Sequence, residues 1–172
     1  AISERICTLE DQGQTVYHPR REETIDLDAI AYVEVGLELV RQCRDHEIDP
    51  AAVYVAALDT TQAGLQLALE YLDSSIEVRG ICPYPGRDDR HQELARIANN
   101  GAERLGLDID LDPSDFDNRD SFVGEGYGVP TEEGLEALQT VARTEGILLD
   151  PVYTSKAMSA IFADERTDRF DG

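Results

Sequence analysis

The sequence predicts an α/β protein in three layers, a mostly parallel sheet with helices on both faces. Two apolar runs carry that expectation. Val53–Leu58 is β-rich and apolar without alternation, as suits a strand covered on both sides. Ile76–Cys82 reads as a second strand. Around them, apolar residues recur at spacings of three and four, which gives a strand–helix–strand–helix rhythm.

Taken in order, residues 1–16 are polar with scattered apolar positions, and residues 17–23 read as a connection. From Asp28, a residue suited to cap a helix start, Ile30, Val33, Leu37 and Val40 form one stripe while Glu34, Glu38 and Arg41 fall away from it. That helix ends before Pro50. After the first strand, Asp59-Thr60-Thr61 supplies a turn and cap for a helix with Leu65, Ala68, Leu69 and Leu72 buried. Leu94, Ile97, Ala98 and Leu105 mark a further helix. The stretch Asp108–Gly128 is irregular and acidic and reads as an insertion at the sheet edge. Thr131 then caps a helix with Leu135, Leu138, Val141 and Ala142 on its buried face and Gly146 as its stop. Ile147–Asp150 reads as a short strand leaving the sheet at Pro151, and a last helix runs from about Ser155 to Phe162. The 172 residues read as a single α/β domain.

Charge narrows the function classes. The net charge is −21, with 36 acidic against 15 basic residues and Lys156 as the one lysine. Nucleic acid is thereby excluded as a partner, since phosphate binding needs clustered Lys and Arg. No apolar run reaches the roughly 18–20 residues of a membrane span. Ala1–Arg5 lacks the basic-then-apolar opening of a signal peptide, so the expectation is a cytoplasmic protein with no membrane partner. So acidic a surface, poor in lysine, fits a salt-loving source in which concentrated ions screen its self-repulsion. Asp108-Ile109-Asp110-Leu111-Asp112 imitates the start of a calcium loop. Pro113 stands where that loop needs Gly and Arg119 where it needs Glu, so it reads as a false match and no metal site is assigned. Cys7, Cys43 and Cys82 form no CxxC pair and read as buried free thiols. His18, His46 and His91 read as solvated surface residues, and Lys156 as a surface cation.

The segment richest in chemistry is Val123-Gly124-Glu125-Gly126-Tyr127-Gly128-Val129-Pro130-Thr131, with Arg143–Met158 downstream. Three glycines around one tyrosine let the backbone approach a ligand and hold the ring at a mouth. Tyr153 falls just after a strand end and at a helix start, where ligands collect in parallel α/β sheets. From the physics of the residues alone, the favoured reading is two ordinary tyrosines, one at a turn and one capping a helix.

These two stretches resemble the carboxyl-terminal part of the pyridoxal-phosphate enzymes that include D-cysteine desulfhydrase and 1-aminocyclopropane-1-carboxylate deaminase, of the tryptophan-synthase-β-like fold. Upstream, Ala29–Glu34, Val53–Leu65 and Ile76–Cys82 resemble family segments as well, so the likeness covers most of the chain. It implies a lyase or deaminase that releases ammonia and a 2-oxo acid from a small amino acid, through a cofactor aldehyde bound first to an enzyme lysine. It also implies that Tyr127 and Tyr153 are catalytic residues near the substrate, with Thr60, Thr61 and Thr154 toward the cofactor and Thr154 near its pyridine nitrogen.

The chain departs from the family pattern in three places. The family's cofactor-holding lysine lies upstream of the matched region, and Lys156 matches a different lysine. The family's Gly-Ser-Gly-Gly-Thr phosphate loop is here Ala57-Leu58-Asp59-Thr60-Thr61, with a carboxylate where a dianion would sit. The Ser-Asn-Pro turn is Thr24-Ile25-Asp26, and the final His-Thr-Gly-Gly strand is missing. The chain thus reads as an incomplete or degenerate copy whose partner is a second copy of itself or a complementary chain bearing the lysine. A non-catalytic binding or assembly module derived from the fold is the alternative.

Overall fold

The computed structural model describes residues 2–18, 24–86 and 88–167. Its sheet has three parallel strands in the order β1 (Ala52–Ala56), β2 (Glu77–Ile81), β3 (Asp117–Arg119). The helices are α1 (Ile2–Asp11), α2 (Ile25–Asp45), α3 (Thr60–Tyr71), α4 (Arg90–Leu105), α5 (Glu132–Thr144) and α6 (Thr154–Arg166). Of the expected connection at 17–23, residues 19–23 lie outside the described residues. No helix among the described residues is long and apolar enough to cross a membrane.

Register explains how both faces come to be covered. Side chains alternate along a strand, so Val53 and Val55 face one way and Tyr54 and Ala56 the other. The valines, with Val78, pack on Leu65 and Leu69 of α3. Tyr54 and Ala56, with Ile81, pack on Ala157 and Ala160 of α6. The partners follow suit. Gly80, opposite Val55, faces α3 beside Gln62 and Asn118, whereas Arg79, opposite Tyr54, faces α6. Gly80 has no Cβ, and one built there would collide with the Gln62 and Asn118 amides, which hydrogen-bond at 2.6 Å.

Charge fastens the α6 face. Asp164 of α6 accepts two bonds from Arg119 of β3, both at 2.9 Å, and one from the Tyr54 hydroxyl at 2.5 Å. Arg79 reaches the same phenol at 2.6 Å. One carboxylate thereby joins α6 to all three strands.

Several expectations need correction. The helix expected from Asp28 begins at Ile25, and its buried stripe is Asp26, Ala29, Val33 and Gly36, while Leu37 is exposed. The small residues win because they let α2 approach α3 closely, Gly36 lying on Ala68 and Gly64 on Ala29. Asp26 is buried there in an ion pair with Arg104. On α5, Gly134, Ala137 and Val141 are buried and Leu135 is exposed. Thr131 does cap that helix, accepting from Gly134 at 3.0 Å. Residues 1–16 contain α1, which buries no side chain. The acidic insertion contributes β3, whose three residues, Asp-Asn-Arg, carry no apolar signal.

Ile147–Leu149 forms no strand. Gly146 takes a left-handed φ of 70°, and the Asp150 backbone is committed to α6, its N–H to the Thr154 hydroxyl and its carbonyl to the Ser155 N–H. Of the cysteines only Cys82 is buried, with Cys43 partly buried and Cys7 exposed. His46 is exposed, but His91 is half-buried, its Nε2 3.3 Å from the Asn118 carbonyl.

Candidate active site

The carboxyl ends of the parallel strands β1 and β2 lie side by side, and the loops that follow them deliver side chains of interest. After β1, Asp59 caps α3 by accepting the Thr60 N–H at 2.6 Å. Thr60 is buried and Thr61 half-buried on the first turn behind it. After β2, Pro83–Gly86 presents Tyr84, whose phenol feels the Asp59 charge.

Tyr127 comes from the glycine-rich turn that follows β3. Gly124, Gly126 and Gly128 have φ of 70°, 156° and 78°, backbone that L side chains rarely adopt. Buried Val123 anchors the turn. Tyr153 stands at the head of α6, where Asp150 holds the chain. Its carboxylate accepts from the Val152, Tyr153 and Thr154 N–H groups at 2.8, 2.7 and 2.9 Å and from the Thr154 hydroxyl at 2.6 Å. Although desolvation opposes ionisation, these donors bring the Asp150 carboxyl down to about 2.

The two tyrosines meet. Their hydroxyls share a hydrogen bond, with the rings edge to face at 6.0 Å and 64°. Tyr84 completes the cluster by stacking on Tyr127 at 4.2 Å, nearly parallel at 4°. The bond to Tyr127 pushes the Tyr153 phenol up to about 12, while the bond to Tyr153 is the main cause that lowers Tyr127. Such a pair joins two phenols of unequal acidity through one hydrogen bond, so a hydroxyl can donate to a carboxylate or pass on a proton.

Of the residues singled out from the sequence, Tyr127 and Tyr153 are thus together. Thr154 lies beside Tyr153, but its hydroxyl is engaged by Asp150. Thr60 and Thr61 lie on α3, and among the described residues no hydrogen bond joins them to the tyrosines. Tyr84 went unrecognised, although it follows a strand end as Tyr153 was expected to. Lys156 is not on the surface. It is 1% exposed, and its Nζ donates to the Val123 carbonyl at 2.8 Å and the Gly126 carbonyl at 3.4 Å. Burial lowers its pKa. A four-carbon stem lets a lysine lie among apolar residues as long as its ammonium finds acceptors, and here the turn supplies them.

A family model described as pyridoxal-phosphate dependent enzyme matches residues 3–172. The chain belongs to that family. A solved structure described as an ACC deaminase homologue is similar at 27% identity with a TM-score of 0.84, covering 99% of this chain and 51% of the other. The chain therefore spans about half the length of that relative. Both the parallel sheet and its two helical layers match that fold.

Family membership implies pyridoxal phosphate as the cofactor. The residues at 57–61, however, do not fit its phosphate. A dianion at the start of α3 would need the first-turn amides, and the Asp59 carboxylate already holds one of them with charge of the same sign. Nor is the Lys156 amine free to hold an aldehyde, being enclosed and bonded to two carbonyls.

Proposed function

We propose that the chain is the tyrosine-bearing half of a pyridoxal-phosphate-dependent lyase or deaminase acting on a small amino acid, with D-cysteine and 1-aminocyclopropane-1-carboxylate as the leading substrates. The observation that carries this reading is the joined Tyr127–Tyr153 pair at the strand ends in a chain of this family. In this reading Tyr127 and Tyr153 orient the substrate carboxylate or exchange a proton near the reacting carbon. The amine that holds the cofactor comes from outside these 172 residues, on a complementary segment or chain. The setting in this reading is rich in salt, as the net charge of −21 supports, and cytoplasmic. The 172 residues act as one α/β domain.

Tyrosine absorption offers a direct test, because the chain has no tryptophan. Adding either amino acid should perturb it, and Tyr127→Phe and Tyr153→Phe should each abolish the response. Silence toward both amino acids, with and without the cofactor, would overturn the reading. Borohydride treatment in the presence of the cofactor should leave Lys156 unmodified, and an adduct there with ammonia release would show that the chain supplies its own amine.

The second reading, a non-catalytic binding or assembly module, is favoured by one observation, the carboxylate of Asp59 at the start of α3. Asp59→Asn separates the two. It should raise affinity for pyridoxal phosphate by roughly tenfold, about 1.4 kcal/mol. A variant as blind to the cofactor as the parent, together with a cofactor-independent homodimer in sedimentation, favours the module.

A further inference from the structure

We propose that Lys156 is a positioning residue that fixes Tyr127 against Tyr153. Lys156 sits three residues after Tyr153, in the first turn of α6. Its ammonium reaches across to the glycine-rich turn and takes the carbonyls of Val123 and Gly126, the second of which immediately precedes Tyr127. A single side chain therefore joins the support of one tyrosine to the support of the other.

The turn needs such a tie. Three of its residues are glycines in left-handed backbone, which restrain a chain least. Its tyrosine is half exposed, at 47%, and Tyr153 is 37% exposed, so burial fixes neither ring, and Tyr127 has the stack on Tyr84 against one of its faces. An ammonium has three rotatable donors and can bridge two carbonyls that point from different places along a turn. An apolar side chain of similar length would fill the same space without the cost of burying a charge. It would also leave the Val123 carbonyl without the lysine donor and the Gly126 carbonyl with the Val129 N–H alone. Placement near a helix N-terminus adds a further cost for a cation. Both costs are met at one position, and what they secure is the alignment of the pair.

The importance of that alignment for chemistry rests on the proposed function, but the test does not. Biosynthetic 3-fluorotyrosine makes each ring visible by fluorine NMR, and its phenol ionises at lower pH than that of tyrosine. Tyr127→Phe and Tyr153→Phe assign the two resonances. In folded Lys156→Met, both resonances should move, and the gap between their ionisation midpoints should shrink by about one pH unit or more. The resonance of Tyr17, 84% exposed and far along the chain, should stay in place. Lys156→Gln, which keeps amide donors on a shorter stem, should give a smaller change in the same direction.

Unchanged Tyr127 and Tyr153 resonances in either folded variant would overturn the proposal. So would loss of folding in both variants, which would assign Lys156 to stability alone. Neither substrate nor cofactor enters the measurement. A failure here leaves the proposed function standing, and a chain inert toward amino acids leaves the positioning role standing.

Discussion

The two faces of the sheet are fastened by opposite means. Against α3 the contact is aliphatic, Leu65 and Leu69 on Val53, Val55 and Val78, with a neutral amide brace of Gln62 and Asn118. Against α6 the small residues Ala157 and Ala160 leave room, and the attachment is an ionic knot of Asp164, Arg119, Arg79 and Tyr54. Aliphatic packing is non-directional and tolerates small slides, whereas a bidentate carboxylate–guanidinium pair fixes orientation. The face with the directional attachment is the one whose helix carries Tyr153 and Lys156. Where a helix only fills the core, apolar area suffices. Where it presents a site, its angle matters.

Breaking the ionic knot should give the largest effect. Asp164→Ala leaves two largely buried guanidiniums without this partner and should cost about 3–5 kcal/mol in urea unfolding. It should also disturb the tyrosine pair, since α6 loses its anchor. Leu69→Ala on the opposite face should cost about 3 kcal/mol. In contrast to Asp164→Ala, it should leave the absorption of the tyrosine pair unmoved, and an equal disturbance from both variants would erase the contrast between the faces.

Asp150→Asn weakens the start of α6 and should cost about 1 kcal/mol. Its pH dependence has a definite sign. The folded-state value of about 2 lies below the ordinary aspartate value, so the stabilisation is complete above that ordinary value and is lost as the pH falls toward 2. The variant should lack that part of the acid dependence in denaturation followed between pH 5 and 2. The smallest change in stability belongs to Tyr127→Phe, within about 0.5 kcal/mol for so exposed a ring. Its signature is spectroscopic: Tyr153 should ionise well below its present value of about 12.

The parts legible in the sequence were those with apolar rhythm. β1 and β2 declare themselves by aliphatic runs, and Tyr127 by the glycines on either side. β3 is illegible because Asp117, Asn118 and Arg119 spend their side chains on buried polar partners, which leave no hydrophobic pattern. Ile147–Leu149 misleads for the converse reason. It has the composition of a strand, but the next residue is taken up in capping a helix. The stripe on α2 was displaced because close approach at Gly36 and Gly64 outweighs the size of Leu37. Tyr84 stands among prolines with no periodicity to mark it. Lys156 was hardest to place, because its acceptors are backbone carbonyls some thirty residues away, and carbonyls have no letter in a sequence.

The enclosure of Lys156 also makes the protein a reporter of its own opening. With one lysine in 172 residues and that one 1% exposed, an amine-acylating reagent finds no lysine side chain to modify while the fold is closed. Modification of Lys156 then proceeds only as fast as the glycine-rich turn and α6 come apart, locally or with the rest of the fold. The rate of labelling is a clock for the opening of this region, readable by peptide mass without any engineered probe.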